Sequence, residues 1–178
     1  TGSISDVNDV LAAETNQGTA GQQIDLDTNF TVTITDTGSV AATTLTTLDN
    51  GVPGTVTATT VDTLTGTAAQ VAAAVAAGGL TLDGNFAVTL TTDSTATASD
   101  LKAINTATTG IITATGVTAI SGSLSDVGDV VDVDTDTSSS GQQIDLDTNF
   151  TVTLSDTGTM SASALNTLNG KVPGTLTV

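Results

Sequence analysis

The sequence predicts an α/β fold: a right-handed solenoid of repeated β–α coils, with one parallel sheet and short helices on one side of it. Three observations lead there. The stretch GQQIDLDTNFTVT occurs twice without a change, at Gly21–Thr33 and Gly141–Thr153, and internal repeats come before other fold reasoning. Within each copy apolar and polar residues alternate strictly, as on a strand with one face buried and one wet. Downstream the apolar spacing changes to three, which places Leu45 and Leu48 on one side of a short helix.

Phe30, Phe86 and Phe150 head the same run in three places, the second interval being longer than the first. The match continues through Leu45, Leu101 and Leu165, and through Gly54, Gly110 and Gly174. The units are residues 2–65, 66–121 and 122–178, beginning at Gly2, Gly66 and Gly122 and forming one solenoid over residues 1–178. The middle unit lacks eight residues where the others carry their Gln-Gln segment. The chain starts and stops out of phase with this repeat, without a polar capping unit. It is expected to be an excerpt of a longer array.

In the first strand Ile24, Leu26, Phe30, Val32 and Ile34 point one way. Asp25, Asp27, Asn29, Thr31, Thr33 and Thr35 point the other. The same pattern recurs over Leu80–Leu90 and Ile144–Leu154, and Thr and Val favour strands. Helices follow around Leu45/Leu48, Leu101/Ile104 and Leu165/Leu168. Ser99 and Asp100 are N-cap candidates, and Gly51 and Gly170 sit where a left-handed C-cap is expected. Pro53 and Pro173 stop the helix.

A second strand is predicted over Thr55–Thr59, Ile111–Thr115 and Thr175–Thr177. A second helix follows, clearest over Ala68–Ala77, with counterparts from Ser5 to Ala13 and from Ser125 to Val131. Strands joined through helices run parallel. A sheet with helices on both faces has strands that are apolar throughout; here one face is Thr, Asp and Asn, so helices cover one side. The alternative is an all-β parallel β-helix. Val32, Ile34, Val56, Val88, Leu90, Ile112, Val152 and Leu154 are the expected core, with the three Phe in a stacked ladder. Six coils at about 4.8 Å would extend roughly 30 Å.

Composition narrows the function. The chain has no Cys, His, Trp, Tyr or Arg, and two lysines face 19 acids for a net charge of −17. Nucleic acid is excluded as a partner, because displacing counterions from phosphates needs Lys and Arg. An anionic membrane is disfavoured on the same ground. No apolar run approaches the ~20 residues of a membrane span. A Cys-free, acidic, Thr-rich chain suits an extracellular bacterial setting.

The segment Gly54–Gly66, the following TAAQVAAAV, AVTL and ASDLKAIN together carry a resemblance over essentially the whole chain. It resembles the Thr/Ala/Val/Asp-rich tandem repeats of very large secreted or cell-surface proteins of cyanobacteria and green sulfur bacteria. The resemblance implies a surface-layer, adhesion or motility-associated structure and brings no catalytic residue.

Without His or Cys there is no His-based triad, thiol nucleophile or typical zinc site. The carboxylate pairs Asp25/Asp27 and Asp145/Asp147 share a strand face, but they recur with the repeat and no aromatic platform for a sugar accompanies them. The chain is therefore not expected to be an enzyme.

Calcium is the sharper candidate, at Asp129, Asp132, Asp134, Asp136, Asp145 and Asp147, a dense set of hard oxygen ligands. The run is not an EF-hand: from Asp132, Thr137 stands where Gly belongs and Gln143 where the bidentate Glu belongs. Gly78–Asp83 matches an RTX nonapeptide only in part, with Thr81 in place of its third Gly. Asp27, Asp83 and Asp147, if stacked ~10 Å apart, would repel by only about 0.4 kcal/mol per pair in water. No cofactor is required for folding.

The outward Thr31/Thr33/Thr35, Thr57/Thr59, Thr89/Thr91, Thr113/Thr115, Thr151/Thr153 and Thr175/Thr177 offer a second candidate, an ice-binding face. Thr is also simply the polar residue best suited to an exposed strand. The function expected is a structural repeat segment (spacer, stalk, adhesin shaft or filament body) of a large extracellular or cell-surface bacterial protein. Calcium-binding adhesion is the alternative. Expected partners are neighbouring repeats or copies of itself end to end, and cell-surface or matrix components.

Overall fold

A computed structural model describes residues 1–15, 24–91, 94–134 and 144–178. Among them six helices alternate with short strands, and every strand pairing is parallel. The fold is α/β, and the all-β alternative falls. No described helix is long and apolar enough to cross a membrane.

The first unit holds α1 (Ile4–Thr15), β1 (Val32–Thr33), β2 (Gly38–Ala41), α2 (Ala42–Gly51), β3 (Val56–Ala58) and most of β4 (Val61–Gly66). The second holds α3 (Ala68–Val75), β5 (Leu80–Leu82), β6 (Ala87–Leu90), β7 (Thr95–Thr97), α4 (Ala98–Ala107), β8 (Ile112–Ala114) and most of β9 (Ala119–Gly122). The third holds α5 (Leu124–Asp134), β10 (Ile144–Leu146), β11 (Thr151–Leu154), α6 (Ala162–Asn169) and β12 (Leu176–Thr177). Each helix packs on the next in chain order.

The helices form where apolar spacing predicts them. Ala42, Leu45 and Leu48 are buried on α2, and Ala98, Leu101 and Ile104 on α4. Threonine hydroxyls within these helices are satisfied by the carbonyl four residues earlier, as Thr46 donates to Ala42 and Thr106 to Lys102. The caps differ from expectation. The N-cap of α4 is Thr97, whose Oγ1 accepts the Asp100 N–H at 3.2 Å, so neither Ser99 nor Asp100 caps it. Thr67 and Gln70 make a reciprocal capping box on α3. Gly51 and Gly170 are not left-handed: α2 runs through Gly51, and Gly170 has φ −70°.

The long first strand is also corrected, because an Asx turn breaks it. Asp27 Oδ1 accepts the Asn29 N–H at 2.9 Å and Asp147 Oδ1 the Asn149 N–H at 2.8 Å. Turns at 28–29, 84–85 and 148–149 therefore divide the run, and β5 and β6, or β10 and β11, lie in different sheets. Strands β2, β4, β7 and β9 were not among the predicted ones.

The single sheet becomes three: β1-β3-β5, then β10-β8-β6-β4-β2, then β12-β11-β9-β7. Their registers share one step. Val32 pairs with Val56 and Val56 with Leu80; Val40, Leu64, Val88 and Ile112 pair in succession. The step is the interval of 24 at which Asp62 accepts the Gly38 N–H and the Ser94 carbonyl accepts the Thr118 hydroxyl. It lengthens from Ile112 to Ile144 and from Ile120 to Val152, where the eight-residue Gln-Gln insertion intervenes. The Leu124 N–H reaches Asp156 over that longer interval of 32. The shorter repeat, from Phe30 to Phe86, is two of the shorter steps with eight residues over. Each unit therefore lands one sheet further along: β3, β8 and β12, which occupy one repeat position, lie in the first, second and third sheets.

That shift removes the expected phenylalanine ladder. One step from Phe30, Phe86 and Phe150 lie Gly54, Gly110 and Gly174, and the Gly54 and Gly174 N–H groups donate to the Phe30 and Phe150 carbonyls at 3.1 Å. Stacked Asp27, Asp83 and Asp147 go the same way, since Asp83 follows β5 of the first sheet and Asp147 follows β10 of the second. The core itself is as expected: Val32, Ile34, Val56, Val88, Leu90, Ile112, Val152 and Leu154 are all buried, in one continuous apolar cluster.

Candidate functional site

The acidic set is concentrated on α5. Its N-terminus is closed by Ser123, whose Oγ accepts the Asp126 N–H at 3.1 Å, and by Asp156, whose carboxylate accepts the Leu124 N–H at 2.6 Å. Ser3 and Asp36 repeat the arrangement on α1. From there Asp126, Asp129 and Asp132 follow at three-residue spacing.

Both lysines of the chain meet this acidic helix. Lys102 Nζ lies 2.9 Å from Asp126 and 2.7 Å from Asp129, bridging α4 to α5, and Lys171 pairs with Asp132 from just beyond α6. Of the six proposed calcium ligands, Asp129 and Asp132 are thus engaged with ammonium groups. Asp134 accepts the Leu146 N–H at 3.1 Å, and Asp147 forms the Asx turn. Asp145 is exposed on β10, and Asp136 lies outside the described residues. Among the described residues no group of three or more carboxylates is gathered for a metal ion.

The electrostatics follow from these contacts. Hydrogen bonds to Asp129 and then Asp126 push Lys102 up to about 12. Lys102 and then Ser123 hold Asp126 below its ordinary value. Burial, with Asp145 adding to it, raises Asp134 despite the Leu146 N–H. The raised lysine stabilises the fold below its ordinary 10.5, and that contribution is lost as pH climbs through about 12. The lowered Asp126 contributes above the ordinary carboxylate range, and is lost as pH falls through its depressed value. Lys102→Met is therefore expected to cost a small amount of stability at neutral pH. The difference should vanish toward pH 2 and shrink in ~1 M salt, where the screening length is about 3 Å. Urea melts at both pH values and both salt levels check this.

The threonine faces are real but narrow. Thr33, Thr57 and Thr81 stand in register on the first sheet and Thr65, Thr89 and Thr113 on the second. Thr97, Ser121, Thr153 and Thr177 form the third rank. Thr59 and Thr115 sit in turns, and Ala87 and Ala119 interrupt the neighbouring ranks at Thr63 and Thr151. Each rank is one residue wide, a consequence of the pairing step that the sequence pattern did not disclose.

A groove of about 610 Å³ separates α5 from α6, lined by Gly128, Asp129, Asp132, Ala164, Thr167 and Leu168. Of the acids that line it, Asp129 and Asp132 are paired with lysine and Asp156 caps α5. Compared with known proteins, the chain matches no protein-family model, no curated protein and no solved structure.

Proposed function

We propose that this chain is a structural repeat segment of a large extracellular bacterial surface protein, a spacer, stalk, adhesin shaft or filament body without catalytic activity. The segment winds as a right-handed solenoid, each turn adding about 4.8 Å of length. The observation that carries this reading is the recurring pairing step, Val40 to Leu64 to Val88 to Ile112, extended by eight where the Gln-Gln segment intervenes. A fixed step lets the chain grow by addition, since each turn contacts only its neighbours. The surface chemistry fits a passive role: acids and threonines face outward, and the sequence has no His or Cys to serve as base or thiol and no Arg. Such a segment needs no cofactor.

Insertion of further copies of residues 66–121 tests the reading. Each copy should lengthen the particle by about 10 Å in small-angle scattering, two turns at the strand spacing. A compact globule would instead grow by only a few Å, following its volume; that result would sink the solenoid. Antibody labelling of unbroken producing cells tests the surface location.

A further inference from the structure

The three units allow the protein to be compared with itself. At one end, Met160, Ala162, Leu165, Leu176 and Val178 occupy the repeat positions of Val40, Ala42, Leu45, Val56 and Ala58 in unit one, and of Ala96, Ala98, Leu101, Ile112 and Ala114 in unit two. All ten counterparts are buried. In unit three Ala162 is exposed, Val178 is 69% exposed, and Met160, Leu165 and Leu176 are half-buried. The opposite end shows the same contrast. Val10 is 37% exposed where Ala74 and Val130 are 1%, and Ile24 is 41% exposed where Ile144 is 0%. An apolar opening of about 250 Å³ lies here, lined in part by Val7, Val10, Leu11, Leu26 and Phe30.

These two faces are of different kinds, and the molecule already contains their junction twice. Helices α2, α4 and α6 share one repeat position, and α1, α3 and α5 share the other. The α2 face is covered by α3, and the α4 face by α5. Within those junctions Ala42 and Ala98 pack on Gly66 and Gly122, and Val56 and Ile112 pair with Leu80 and Ile144. The uncovered face of α6 and β12 is equivalent to those of α2 with β3 and α4 with β8, and the face of α1 is equivalent to those that cover them.

We propose that the face of Ala162, Leu165, Leu176 and Val178 docks head to tail on the Gly2, Val10 and Ile24 face of a second copy of this polypeptide. Ala162 then meets Gly2 of the second copy, and Leu176 pairs with its Ile24. The interface is heterologous and its step does not close, so association yields an open series rather than a dimer. It deepens the structural-segment reading and rests on it. Asn166 holds the repeat position of Lys102, and Asp6 and Asp9 hold those of Asp126 and Asp129. Asn166→Lys should therefore place an ammonium against two carboxylates of the next copy, and tighten association roughly two- to fivefold at low salt.

Sedimentation velocity over a concentration series, with circular dichroism on every sample, tests the proposal. The unaltered polypeptide should give a mass that rises with concentration without a plateau at dimer. Val10→Asp and Ala162→Asp, both at exposed positions, should each be monomeric with an unchanged spectrum. Mixed together they should form a one-to-one pair and nothing longer, because each supplies the face the other lacks. A folded unaltered polypeptide that stays monomeric at every concentration overturns the docking, and an elongated scattering profile for that monomer leaves the solenoid reading intact. Self-association of either variant alone also overturns it. A compact, non-elongated monomer rejects the solenoid and the docking together.

Discussion

Phe150→Ala is expected to lower the free energy of unfolding by about 3–5 kcal/mol, the usual cost of emptying a buried aromatic site. Phe150 is among the largest fully buried side chains, on the turn that leads into β11. Its carbonyl also accepts the Gly174 N–H, which ties the backbone at Phe150 to the chain one pairing step away. For a chain of this length the loss should appear as a fall in Tm on the order of 10 °C. The internal comparison is Phe30, the same repeat position at the other end of the molecule, which is only half-buried. Phe30→Ala should cost about half as much, since the transfer contribution scales with the area removed from water. Equal losses at the two sites, read by thermal melts, would show that the first repeat is as well packed as the third around its phenylalanine and would contradict the burial pattern.

Gly110→Ala is the second large effect, expected to destabilise by about 2–3 kcal/mol through crowding rather than through a cavity. A Cβ at Gly110 would lie 2.2 Å from the Phe86 carbonyl oxygen and 2.7 Å from the Asn85 oxygen, and both are backbone atoms that cannot rotate away. Gly54 and Gly174 meet the Phe30 and Phe150 oxygens at 2.4 and 2.5 Å in the same way. All three glycines have ordinary backbone angles, so the demand is for space alone. Gly128→Ala should behave oppositely. It lies inside α5 with nothing within 4 Å of an added methyl, and removing a helical glycine should stabilise by about 0.5–1 kcal/mol. Two Gly→Ala changes of opposite sign, measured by urea titration, separate close approach from backbone entropy. Loss of stability at both positions would undo that separation.

The acidic site was legible as composition and not as geometry. Four Asp between positions 126 and 134 are visible in the sequence. Their engagement is not, because Lys102 reaches Asp126 from 24 residues away and Lys171 reaches Asp132 from 39. Ion pairing across stacked helices depends on which helix faces are neighbours, and no local pattern encodes that. The Asx turn that divides the first strand is the reverse case. Asp27 and Asn29 carry the turn chemistry openly, but unbroken apolar alternation on both sides of the pair masks it.

By itself the sequence determined the repeat, its three units, the helix positions and the central part of the buried set, but not its ends: Ile24, on the inward side of the alternation, is 41% exposed, and Phe30 and Leu165 are half-buried. These follow from local rules: apolar residues three or four apart must share a helix face, and alternating ones must share a strand face. Only the tertiary structure decided which strand lies beside which. The pairing step, Val32 to Val56, is a little less than half of the repeat from Phe30 to Phe86, and an even half looks equally plausible on a line of sequence. A parallel ladder is satisfied at any register that keeps apolar residues on the buried face, so alternation constrains the step only to even numbers. The observed step seats a glycine beneath each phenylalanine carbonyl, at Gly54, Gly110 and Gly174, where any Cβ would clash with backbone. That contact exists only once neighbouring strands are in place.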